Sequence, residues 1–180
     1  SCSASGAGTP VSGFPQDPPN CPVSQTINDD VGLQLVLQAP TNATGFKFRF
    51  RFYSFEYPEW VCQNFNDQFV AIVTPPPAGS VNGNISFDSQ GSPVSVNNAL
   101  FDVTSGPDLT GTGFNEWNDA ATTQWLYTNS PLPVAPGQQF TITFMIWDTG
   151  DTAYDSTVLI DGFEWIADGS VVNIGTGKEE

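Results

Sequence analysis

The sequence predicts an all-β protein, a two-sheet antiparallel β-sandwich of jelly-roll type. Three observations carry that prediction. Short β-branched and aromatic runs recur along 180 residues and are punctuated by Gly 17 and Pro 15 among Asn, Asp, Ser and Thr. No amphipathic helical period separates those runs, which argues against βαβ units. Hydrophobic residues at 39% and aromatic residues at 13% supply enough buriable area for a core, although the chain is strongly acidic. The length suits one ordinary domain whose core needs no metal or disulfide.

The elements follow in chain order. Residues 1–22 are rich in Ser, Gly and Pro and read as a flexible leader. The sandwich domain is expected over 23–174, and 175–180 as an open tail. Strands are expected in VGLQLVLQA, TGFKFRFRFYSF, DQFVAIV, NISFDS, VSVNNALFDV, TQWLYT, QQFTITFMIW and STVLIDGFEWIA. The clearest is the second. From Phe46 to Phe52 strict alternation puts four phenylalanines on one face and Lys47, Arg49 and Arg51 on the other. The first face belongs to the core. The second is expected to be wet, with its cations paired to carboxylates on neighbouring strands.

Lys+Arg 4 against Asp+Glu 19 leaves a net charge of −15, which repels phosphate backbones and anionic headgroups. Nucleic acid and membrane insertion are therefore excluded as expectations, and divalent cations are the natural counter-partner. Histidine is absent, which removes the usual general base and the nitrogen ligands of zinc and copper sites. No run of eighteen apolar residues occurs, and the N-terminus lacks a signal-peptide pattern, as in a mature chain. Cys2, Cys21 and Cys62 match no metal or redox motif; we expect one disulfide in an oxidising compartment, with Cys21–Cys62 ahead of Cys2–Cys21.

Two acidic clusters stand out. Asp148, Asp151 and Asp155 crowd three carboxylates into eight residues directly after an apolar strand, with Gly150 and threonines that let the loop curl inward. Such a loop suits calcium, which takes six to eight oxygen ligands, although the spacing is not that of an EF-hand. The second cluster joins Glu56 and Glu59 to Asn66 and Asp67 around aromatic residues, and the same argument applies. Paired acids also serve glycoside hydrolysis, but nothing else in the chain marks a substrate cleft, so no catalytic residue is assigned. Among the aromatics, Trp117, Trp60 and Tyr57 are the candidate platforms for a sugar or protein ligand, whereas Trp147 and Trp165 lie in strand-like alternation and are expected to be buried.

The stretches FRFYSFEYPEWVCQNFNDQFVAIV, GNISFDSQGSPVSVNNALFDV and GTGFNEWNDAATTQWLYTNSPLPVAPGQQFTITFMIWDTGDTAYDSTVLIDGFEW together resemble the choice-of-anchor L domain of bacterial surface and secreted proteins, most closely the versions in myxobacteria. The resemblance covers roughly residues 25 to 167. It places the family's motif positions on Glu56, Asn66, Asp67, Asp148, Asp151, Asp155 and Ser156. It implies an exported, non-catalytic sandwich joined to varying anchors. We therefore expect an extracellular or cell-surface adhesion or recognition module, stabilised by calcium held by Glu56, Asn66, Asp67, Asp148, Asp151 and Asp155. The alternatives are a carbohydrate-binding module that uses exposed aromatics, and a subunit of a surface fibre or array that self-associates. The partner is expected to be a surface glycan or protein.

Overall fold

The computed structural model describes residues 5–98, 100–115 and 120–178. Among the described residues, ten strands form two antiparallel sheets packed face to face. The first sheet has the order β1 (Ile27–Gln38), β8 (Gln139–Thr149), β3 (Gln68–Thr74) and β4 (Val94–Ser95). In the second, β2 (Gly45–Ser54) is central. One side of β2 pairs along its whole length with β9 (Ser156–Ile166). Its other side pairs first with β7 (Leu126–Pro131) and then with β6 (Ala121–Thr123). Outside these lie β10 (Gly175–Lys178) on β7 and β5 (Phe101–Val103) on β6.

The alternation in β2 decides what the core contains. Phe46, Phe48, Phe50 and Phe52 are at most 1% exposed. They meet the facing sheet ring to ring: Phe48 lies edge-on to Phe144 at 5.0 Å, Phe50 against Phe69 at 4.7 Å and Phe46 over Phe140 at 5.4 Å. Such pairs contribute about 0.5–1.5 kcal/mol each beyond the area they bury. Trp147 points the other way and is also buried, while Trp165 is half-buried against Phe46 and Phe140.

The outer face of β2 is wet along only half its length. Lys47 and Arg49 pair with Glu164 and Asp161 of β9, which sit opposite or next to them in register. Arg51 is buried and pairs with Asp108 at 3.1 Å, from a loop rather than a strand. That loop lays Leu109 and Phe114 over Tyr53, making a satellite core on the outside of the sheet. The expectation of a uniformly solvated face is corrected accordingly, because alternation within a strand cannot report a loop that folds back over it.

Both termini differ from expectation. Residues 5–22 lie on the first sheet instead of forming a free leader. Phe14 is buried with Ile27, Val70 and Trp147, and Gln16 and Gln68 exchange two hydrogen bonds of 3.2 and 2.7 Å. Gly175–Lys178, expected within an open tail, forms β10, where backbone pairing compensates for a segment with no apolar alternation. NISFDS contributes only isolated bridges at Asn84 and Phe87, and VSVNNALFDV is split between β4 and β5.

Candidate cation site

Four strands from both sheets converge at one end of the sandwich. Glu56 follows the end of β2, Asn66 and Asp67 precede β3, Asp148 closes β8, and Asp151 and Asp155 lie in the loop that leads to Ser156 at the start of β9. Register brings them together: Ser54 pairs with Ser156, Gln68 with Trp147 and Asn28 with Asp148. The loop of residues 150–155 is held from below, since Gly150 N–H donates to Thr26 O at 3.1 Å and Asn28 Nδ2 to Asp151 O at 2.7 Å. Gly150 has φ 97°, and a Cβ there would meet the Phe65 ring at 3.0 Å, so only glycine lets this loop approach the Asn64–Phe65 segment so closely.

The carboxylates are crowded and dry. One oxygen from each of Glu56, Asp148 and Asp151 lies within 4.8 Å of the others. Asp67 joins from behind, where its backbone N–H donates to Glu56 Oε2 at 3.4 Å and its Oδ2 accepts from the Ser156 hydroxyl. Glu56 and Asp67 are buried, as is Asp148; one oxygen of Asp67 and one of Asp148 meet no N–H or O–H donor among the described residues, and when ion-free the two carboxyls can pair only by sharing a proton with each other. Burial, then the charges of Asp148 and Asp151, push the Glu56 carboxyl up to about 8. Burial also pushes Asp148 up to about 7, with Asp151, Asp29 and Asp155 adding repulsion. Asp67 is pushed well above the carboxylate range by burial and by Glu56 and Asp148. Without positive charge from elsewhere, these groups hold protons at neutral pH.

The other expected site residues fall differently. Asn66 serves as a tie: its backbone N–H donates to Thr149 Oγ1 at 2.8 Å and its side-chain oxygen accepts from Asn97 N–H at 3.0 Å. Asp155 is exposed and reaches the cluster only through its charge. Trp60 is half-buried, edge-on to Phe65 at 5.2 Å and tilted to Tyr154 at 6.5 Å. Tyr57 stacks on Phe101 at 5.6 Å. Trp117 lies outside the described residues, as does Cys2. Cys21 and Cys62 are bridged, with Cα atoms 4.5 Å apart, which ties the N-terminal segment to the Glu56 loop. Glu56 is buried while Glu59 is exposed, so the two do not form a pair across a common cleft.

Sequence reasoning missed Thr26, Asn28 and Asp29. The Asn28-Asp29-Asp30 run directly before β1's apolar stretch was the available signal, and its link to Asp148 depends on a bulge in the β1–β8 register.

Fold and site together define a β-sandwich module with an acidic end, built from loops between paired strands. A comparison with protein-family models matches the Choice-of-anchor L domain over residues 24–164. The chain belongs to the choice-of-anchor L domain family, which is associated with the cell surface and is not a known enzyme family. No match was found among curated proteins or among solved structures. Among the described residues no helix is long and apolar enough to cross a membrane.

Proposed function

We propose that this chain is a non-catalytic extracellular recognition or adhesion module whose acidic end is organised by calcium. One observation carries the reading: buried Asp67 and Asp148 each hold an oxygen that meets no N–H or O–H donor among the described residues, beside Glu56 and Asp151. Leaving such atoms unpaired is costly, and a cation among Glu56, Asp148 and Asp151 would satisfy the Asp148 oxygen and neutralise the charges that press on Asp67. The donor set is all oxygen, which suits a hard ion.

The ion would fix residues 56–67 and 150–155 against each other. Trp60 and the 43% exposed Tyr154 form the rim of that end and are the contact surface offered to a glycan or protein on another surface. The test is a thermal melt in calcium and in excess chelator. At a calcium concentration a hundredfold above Kd the expected rise is about 5–11 °C, reversed by Asp151→Asn. Coincident melts would overturn the reading.

A further inference from the structure

We propose a second binding site, for a neutral saccharide chain, on the outer face of the six-stranded sheet. An open groove of about 780 Å³ lies there, within the size range of ligand sites. Cross-strand register builds it. Asp161, Arg49, Tyr127 and Gly177 stand in one row across β9, β2, β7 and β10, and Glu164 with Lys47 lies in the neighbouring row.

Each member of the first row has a distinct physical part. Gly177 has no side chain, and a Cβ there would come within 3.2 Å of the Tyr127 hydroxyl and 3.4 Å of its ring. The hydroxyl end of the Tyr127 ring therefore lies close against the β10 backbone at Gly177, while the residue stays 40% exposed. Arg49 is held between Asp161 at 2.8 Å and the Trp125 ring at 4.9 Å, so its donors are fixed before any ligand arrives. Gly162 makes room for it, since a Cβ there would meet Arg49 Cγ at 3.1 Å.

Charge selects the ligand class. Lys47–Glu164 and Arg49–Asp161 cancel within the groove, while the whole chain carries −15. An anionic chain is repelled by the molecule, and a cation is drawn to the acidic end instead. Sugar hydroxyls both donate and accept, which matches carboxylate acceptors set beside fixed N–H donors. The exposed Tyr127 ring in the groove lining offers an aromatic surface on which the apolar face of a pyranose ring packs. This site involves neither the loops nor the carboxylates of the cation site.

The test is titration calorimetry of the full chain with cellohexaose, xylohexaose and maltohexaose, and with an oligogalacturonate of equal length, each in calcium and in chelator below the melting temperature. A neutral hexasaccharide should bind equally in both media. Tyr127→Ala should weaken that binding about tenfold. Tyr127→Phe should keep it, with melting temperatures unchanged for both variants. Gly177→Val, which lifts the ring, should weaken it as well. Silence from all three neutral probes, undiminished binding by Tyr127→Ala, preference for the anionic probe, or loss of binding in chelator by a chain that stays folded would each overturn the proposal. The melt in calcium is read separately, so failure here leaves the cation reading standing or falling by itself.

Discussion

Asp67 has no exposed surface, yet one of its oxygens meets no N–H or O–H donor among the described residues and two further carboxylates press on it. Removing its charge without changing its shape should act with opposite sign in two media. In chelator, where the buried Asp67 must take up a proton to fold, Asp67→Asn removes that cost and raises the melting temperature, by an amount of order 1–2 kcal/mol or about 2–8 °C. In calcium the same change removes a charged ligand and shrinks the ion-dependent rise. Paired melts of the two proteins check this, and a shift of one sign in both media would remove the ion from Asp67. At this scale the sequence was informative about residue type and silent about partners. The Asp148-Thr149-Gly150-Asp151 run is visible as a crowded loop, but that Glu56, ninety-two positions before Asp148, shares its oxygens is a consequence of two strands ending at the same place.

At the scale of elements, β2 and the loop of residues 150–155 behave in contrasting ways. Alternating phenylalanines settle β2 because every second residue must leave water, and shifting the register by one would expose all four rings. The loop has no such pattern and owes its path to Gly150. Gly150→Ala should cost about 1–3 kcal/mol, since φ 97° is strained for any residue with a Cβ and that Cβ would meet the Phe65 ring at 3.0 Å. Denaturant unfolding should show the loss, and calorimetry should show calcium affinity reduced with it, because the loop carries Asp151. Unchanged stability would mean that the loop tolerates a second path. The short elements were the ones reasoning misplaced. β4, β5 and β10 have two to four residues each, too few for a period to register, and exist because longer strands offer them an edge. The N-terminal segment looked featureless because its one anchoring ring, Phe14, sits among Ser, Gly and Pro.

For the whole molecule the charge balance sets the pH response. Glu56 at about 8 and Asp148 at about 7 lie above the ordinary range near 4, so the metal-free folded chain binds more protons than the unfolded chain between pH ~4.5 and ~8. Stability of the chelated protein should therefore fall as pH rises through that window. Calcium displaces those protons, so its affinity should rise with pH and the melting temperature in calcium should fall less or not at all. Melts from pH 4.5 to 8.5 in both media check the sign. Repeating them in high salt separates the buried cluster from general surface repulsion, which salt screens more effectively. A chelated chain that becomes more stable from pH 5 to 8 would contradict the burial of these groups.

The sequence by itself determined the all-β class, the inward face of β2, the acidic character and the family, because each is carried by residue type and by periods of two within one strand. Tertiary structure alone decided that Glu56, Asp67, Asp148 and Asp151 meet, that Arg51 is covered by a loop, and that Asp161, Arg49, Tyr127 and Gly177 fall into one row. Those are relations between strands far apart in the chain. They are set by which strand edges pair and in what register, and that choice is made by the collective burial of both sheets rather than by any local stretch.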